Sequence, residues 1–152
     1  MGYSRTIDEK DETKTAKVFG KNLRISPKHS VEISRAIKGM KVEEAKAFLT
    51  RVQEKKEAVP FRKHKKKVGH KRLWKWYAGR YPVKASKRFV QLLEEAKSNA
   101  EYKGLDSERL RIIHVSAYKG RTFPGYIPRA YGRATPYNHE TTNVELIVKE
   151  VG

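Results

Sequence analysis

Trp74, Trp76, Tyr77 and Tyr81 are interleaved with Lys71, Arg72, Lys75 and Arg80, shortly after the run Arg62-Lys63-His64-Lys65-Lys66-Lys67. Aromatic faces stack on unpaired bases while adjacent cations neutralise phosphates, so this alternation suits RNA with looped or single-stranded parts. The same rings could instead pack the block onto the body, and one ring can do both, with its face buried and its polar tip exposed. The block lies in a longer stretch free of acids: between Glu57 and Glu94 stand 36 residues with 12 Lys or Arg and no Asp or Glu. A second such stretch, between Glu108 and Glu140, holds 31 residues and 6 Lys or Arg. The other 85 residues carry 17 basic and 17 acidic side chains, so the net charge of +18 resides in these two segments. A dense polyanion is the partner for such a pattern, because each neutralised phosphate releases condensed counterions. On charge alone a general nucleic-acid binder would serve as well as an RNA-specific one.

Other chemistries find no support. The acid-free stretches offer no carboxylate pair for acid–base or two-metal work. There is no G-x-S-x-G, Walker-type loop or G-x-G-x-x-G, so an enzyme is not expected. His64 and His70 lack cysteines, nearby carboxylates and ligand spacing, while His29, His114 and His139 are isolated, so neither metal nor cofactor is expected. Nothing points to a small-molecule substrate. No run approaches the ~18 apolar residues of a membrane span. Met1 to Thr15 alternates charges without an apolar core, unlike a signal peptide. The absence of cysteine rules out disulfides and fits a cytoplasmic protein.

These candidate residues need elements to hold them. At 152 residues and 38% hydrophobic content, one modest domain with polar extensions is expected. Residues 1–14, with four acids in Asp8–Glu12, read as a frayed leader. Residues 15–152 form a single domain. Ala16, Val18, Leu23 and Ile25 alternate around Gly20, as in a strand broken by a bulge. Ser26-Pro27 starts a helix whose apolar positions are Val31, Ile33, Ala36 and Ile37, and Gly39 suits its left-handed end. Val42, Ala45, Phe48, Leu49 and Val52 line a second helix, and so short a connection makes the two packed neighbours. Residues 60–81 show neither helical nor strand periodicity and read as a basic insert. After Pro82, Val83, Phe89, Val90, Leu92, Leu93, Ala96 and Ala100 recur at three and four up to Gly104, as in a helix. Lys84, Lys87 and Arg88 occupy the first turns of this helix, against its macrodipole, a cost that phosphate contacts would offset.

Ile112, Ile113 and Val115 form one β-prone run and Val144, Leu146, Ile147 and Val148 another. Pairing Ile113 with Ile147 in an antiparallel sheet centres the connection on Ala130. The intervening residues 116–143 are too polar and too rich in glycine and proline for a core, which makes them a projecting hairpin. About 14 residues per arm would reach up to ~45 Å at ~3.3 Å per residue. A lone two-stranded ribbon is marginal in water, so this one is expected to order when embedded in something.

Asn22-Leu23-Arg24-Ile25-Ser26-Pro27-Lys28, Lys97-Ser98-Asn99-Ala100-Glu101 and Pro128-Arg129-Ala130-Tyr131-Gly132-Arg133-Ala134 resemble the universal large-subunit ribosomal protein family L-twenty-two, over about Ala16 to Glu150. The resemblance implies an α+β fold: a three-stranded antiparallel sheet packed by three helices, with a long β-hairpin extension. It also implies a structural role in the large ribosomal subunit, with binding to large-subunit rRNA, a part in subunit assembly and a hairpin lining the peptide exit tunnel beside neighbouring ribosomal proteins. The tip of the hairpin is then Arg129, Ala130, Tyr131, Gly132 and Arg133. The rRNA-binding set is Arg62, Lys63, Lys65, Lys66, Lys67, Lys71, Arg72, Trp74, Lys75, Trp76, Arg80, Lys84, Lys87 and Arg88, with Lys119 and Arg121 on the ascending arm. The leader and the insert 60–81 resemble the archaeal and eukaryotic form, while Pro136-Tyr137-Asn138 stands where bacterial members carry basic residues.

Overall fold

The computed structural model describes residues 3–7 and 9–151. In chain order the elements are a helical turn α1 (Glu9–Glu12), strand β1 (Thr15–Leu23), and helices α2 (Pro27–Ile37) and α3 (Val42–Gln53). The insert follows with β2 (Val59–Pro60), β3 (His70–Leu73) and β4 (Trp76–Arg80), and then the long helix α4 (Val83–Tyr102). Strands β5 (Leu110–Phe123), β6 (Tyr126–Pro128), β7 (Ala134–Pro136) and β8 (His139–Glu150) complete the chain. The main sheet is antiparallel with order β1-β8-β5, so the fold is α+β as expected.

Central strand β8 is buried from Thr141 to Val148, with covers on both faces. Val144, Leu146 and Val148 point into the main core, with Ile33 and Ile37 of α2, Leu49 of α3, and Phe89 and Leu93 of α4. Burying side chains of this size contributes about 1.5–3 kcal/mol each, which makes the seam between sheet and helices the main source of stability. The opposite face carries Glu145. Here the leader departs from expectation, because Tyr3, Ser4 and Arg5 dock rather than fray. Ser4 donates from both its backbone N–H (2.9 Å) and its hydroxyl (2.6 Å) to Glu145 Oε2. Arg5 donates to the Ile113 carbonyl (3.0 Å), and Tyr3 packs edge-on against Phe19. Met1, Gly2 and Asp8 lie outside the described residues.

Three further expectations shift. The short α2–α3 connection does not stack those helices on each other; α3 packs chiefly on α4 and α2 on β5. The connection itself extends the sheet edge, with Gly39 N–H donating to the Ile112 carbonyl and Ile112 N–H to that of Met40. Gly39 does take the left-handed conformation, with φ +86°. In the hairpin, Ile147 faces His114 rather than Ile113, because Ile113 falls at a bulge. A second irregularity between Lys119 and Thr122 moves the turn on, so that β6 and β7 pair symmetrically about Tyr131 rather than Ala130. Finally, residues 60–81 hold a small sheet of order β2-β4-β3 where no strand is expected. Its strands are two to five residues long, too short for alternation to register in a sequence.

Candidate nucleic-acid interface

The insert is held by an acid from outside it. Glu32 of α2 is fully buried, and its carboxylate accepts the backbone N–H groups of Arg62 (3.0 Å), Lys63 (2.8 Å) and His64 (2.7 Å). Hydrogen bonds to a charged acceptor are the strong kind, and three of them fix the start of the basic run in one conformation. Phe61, buried beside them, donates its N–H to the Ala78 carbonyl (2.9 Å). With their amides fixed this way, Arg62, Lys63, Lys65, Lys66 and Lys67 are all exposed.

The two tryptophans divide. Trp76 is half-buried, donates Nε1–H to the Phe61 carbonyl (2.9 Å) and stacks on Tyr77 at 5.0 Å, with the Arg62 and Lys65 cations 5.6 and 5.8 Å from its ring centre. It packs the insert. Trp74 is 83% exposed at the two-residue turn between β3 and β4, with the Lys75 ammonium 4.3 Å from its ring centre. An indole so exposed and so close to a cation is a free stacking face. Lys71, Arg72 and Arg80 are also exposed along this small sheet, and Lys84, Lys87 and Arg88 at the start of α4. The first turn of α4 holds no acid, so its positive end adds to these charges.

Beyond its base the hairpin is bare: every residue from Tyr126 to Glu140 is exposed. Its base, by contrast, is tied to β1 by Asn22, which takes a left-handed conformation (φ 49°). Asn22 Oδ1 accepts the Arg121 N–H (3.1 Å) and the Thr141 hydroxyl (3.3 Å), while Asn22 N–H donates to Asn143 Oδ1 (2.8 Å). Gly120 makes room for this knot, since a Cβ there would lie 2.8 Å from both Asn22 Oδ1 and Thr141 Oγ1. At the far end Tyr131 and Gly132 have φ of 58° and 65°, closing a tight turn in which Arg129 N–H donates to the Arg133 carbonyl (2.8 Å). A left-handed Tyr that is 96% exposed stores strain of order 1–3 kcal/mol. Arg129, Ala130, Tyr131, Gly132 and Arg133 thus form one exposed cap.

Of the candidate cations, only Lys119 meets a carboxylate among the described residues, Glu140 at 2.7 Å. The others leave their charge for an outside partner. The structure brings Arg62 through Arg88 together on the insert and the adjoining end of α4, and leaves Arg121 and the tip residues apart on the hairpin. Sequence reasoning missed Glu32 and Asn22, which hold the backbone of Arg62, Lys63 and Arg121, and Glu145, which gathers Ser4, His114 and Tyr118. Burial alone would push the Glu145 carboxyl up, but hydrogen bonds from Ser4, Tyr118 and His114 outweigh it and hold it below the ordinary 4.5. Among the described residues no group of His, Asp and Glu could hold a metal ion, and no helix is long and apolar enough to cross a membrane.

Comparison with known proteins shows the family. The family model for ribosomal protein L22p/L17e matches residues 18–149. The large ribosomal subunit protein uL22 of Methanopyrus kandleri is 57% identical over 150 residues, covering 97% of this chain and 94% of its own. That of Archaeoglobus fulgidus is 56% identical over 140 residues (91% and 90%), and that of Methanococcus aeolicus 52% over 143 residues (93% and 94%). With three archaeal relatives matched almost end to end, the chain belongs to the ribosomal protein L22p/L17e family, structural constituents of the large ribosomal subunit and not enzymes.

Proposed function

We propose that this chain grips large-subunit rRNA with the insert 60–81 and the start of α4, and threads the hairpin extension 116–143 between rRNA segments. In this reading the domain 15–152 acts as one architectural part. Its body bridges rRNA segments during subunit assembly, and its tip, Arg129 to Arg133, lines the peptide exit tunnel beside neighbouring ribosomal proteins. The working place of the chain is then the cytoplasmic ribosome. The observation that carries the reading is the set of cations from Arg62 to Arg88, none of which meets a carboxylate among the described residues, together with a hairpin exposed from Tyr126 to Glu140. Phosphate contacts position a protein on RNA, and stacking on splayed bases adds affinity with little dependence on sequence.

Sedimentation of tagged protein in cell extract tests this. Co-migration with large subunits through moderate salt is expected, and protein that stays at the top of the gradient at low salt would overturn it. A general nucleic-acid binder would hold duplex DNA and rRNA fragments equally at matched salt, whereas this reading expects a preference for rRNA that persists as salt rises.

A further inference from the structure

A cleft of about 320 Å³ lies between the first turn of α2 and the insert, lined by Lys28, His29, Phe61, Lys63, His64, Lys66, Val68 and Arg80. Six of these eight side chains are basic and none is acidic. Three separate segments contribute them: α2, the loop after β2, and β4. No carboxylate pairs with Lys28, Lys63, Lys66 or Arg80 among the described residues. The nearest acid along α2, Glu32, is engaged by the loop's backbone N–H groups and does not line the cleft. Arg80 is already oriented: it donates to the Lys67 carbonyl (3.2 Å), and its guanidinium lies 5.9 Å from the centre of the Phe61 ring. His29 sits edge-on to the same ring at 5.4 Å.

We propose that this cleft is a phosphate site, which takes one phosphodiester of the bound RNA between Lys28, Lys63, Lys66 and Arg80 and is completed by His29 and His64. The proposal rests on the rRNA-binding reading and adds a defined subsite, reaching from the helical body to the insert, that a sequence scan for basic runs does not show. A convergent set of cations, none of them paired with a carboxylate among the described residues, costs self-repulsion that a bound anion removes. His29 feels part of that repulsion: its burial first, and then the charges of Arg80 and His64, hold its pKa below the ordinary 6.5. The charged and titratable groups around it are Lys28 and Glu32 on its own helix, Lys63, His64 and Lys66 from the loop, and Arg80 from β4. An anion seated among them opposes the part due to Arg80 and His64 and adds its own attraction, so that binding draws a proton onto the imidazole.

The test uses the full chain and the tetranucleotide r(UUUU), with the histidine side chains followed by nuclear magnetic resonance across pH. On saturation the His29 resonances should shift and its pKa rise. Lys28→Gln with Arg80→Gln should abolish that rise, while Lys21→Gln with Lys38→Gln, the same loss of charge on exposed residues outside the cleft, should leave it. Arg80→Gln also severs the bond to the Lys67 carbonyl, so Lys28→Gln alone is the second variant; it should reduce the salt slope of binding by about 1. A tetranucleotide that binds without moving the His29 pKa, or control and cleft variants that behave alike, would overturn the cleft and leave the broader RNA reading standing. Failure to bind at all, together with failure to sediment with subunits, would overturn both.

Discussion

Replacing Glu32 by Gln removes one negative charge from a chain of net charge +18, so electrostatics alone expects tighter RNA binding. The structure demands the opposite. Glu32 Oε1 accepts the N–H groups of Lys63 and His64, and Oε2 that of Arg62. A Gln can keep the first pair on its carbonyl oxygen, but its amide NH2 then confronts the Arg62 N–H, donor against donor, in a fully buried place. Losing one charge-assisted bond and weakening two others should cost about 2–3 kcal/mol. Glu32→Ala, which removes all three acceptors, should cost about 3–5 kcal/mol. At about 2–4 °C per kcal/mol for a chain of this length, Glu32→Gln should melt roughly 5–10 °C lower. Thermal denaturation measures this directly. Amide exchange should show Arg62, Lys63 and His64 losing protection before the sheet does, because local opening of the insert is cheaper than global unfolding. Affinity for an rRNA fragment should fall despite the added net charge, since an unfixed loop must be ordered on binding. Unchanged melting with tighter binding would refute the idea that this carboxylate organises the basic run.

Trp74→Ala should leave the melting temperature unchanged and weaken rRNA binding by about 1–3 kcal/mol, whereas Trp76→Ala should lower the melting temperature because it orphans the Phe61 carbonyl. Parallel melting and filter-binding curves separate the two effects, and equal behaviour of both variants would contradict the division. Gly120→Ala should cost about 1–3 kcal/mol by forcing a Cβ into Asn22 and Thr141, read as a lower melting temperature with faster exchange of the Arg121 amide. The folded pKa of Glu145 is depressed, so its stabilising contribution is complete above the ordinary 4.5 and is lost as pH falls from there through the lowered folded value. Urea midpoints of wild type and Glu145→Gln should therefore converge as pH drops through that window, and a constant gap would count against the assignment.

Long apolar repeats made α2, α3, α4 and the paired strands β5 and β8 legible, because each buries one side of a regular element. The hairpin followed from pairing two such runs across residues that cannot form a core. What escaped was decided by single polar contacts. A bulge at Ile113 shifted the register by one residue, and no hydrophobic pattern encodes which residue is left out of a ladder. The strands of the insert are too short to show a period, and their place is set by Glu32, an acid that sequence logic assigns to the solvent. Trp74 and Trp76 are two residues apart and alike in composition, yet only the turn between β3 and β4 decides which one is bare. His29 and His64, isolated along the chain, become neighbours only once α2 and the insert are folded together.

Glu32 and Glu145 are the only buried acids among the described residues, and each serves one of the two stretches that lack acids. Glu32 fixes the backbone at Arg62 to His64, and Glu145 gathers His114 and Tyr118 of β5 with Ser4 of the leader. A segment that must show only positive charge to RNA cannot stabilise itself with its own salt bridges, since every internal acid would cancel a phosphate contact. Placing the carboxylate on a neighbouring element, buried and turned towards backbone N–H groups or side chains other than lysine and arginine, solves this. The anion then orders the segment from behind without neutralising the exposed lysines and arginines, most of which meet no carboxylate among the described residues. Lys119 marks the boundary of the scheme: beside the exposed Glu140 it is paired and does not share that freedom. Removing Glu140 should therefore strengthen RNA binding by the hairpin base, while removing Glu32 should weaken binding by the insert. The same change of charge gives opposite signs, because one acid covers a cation and the other builds the surface that carries them.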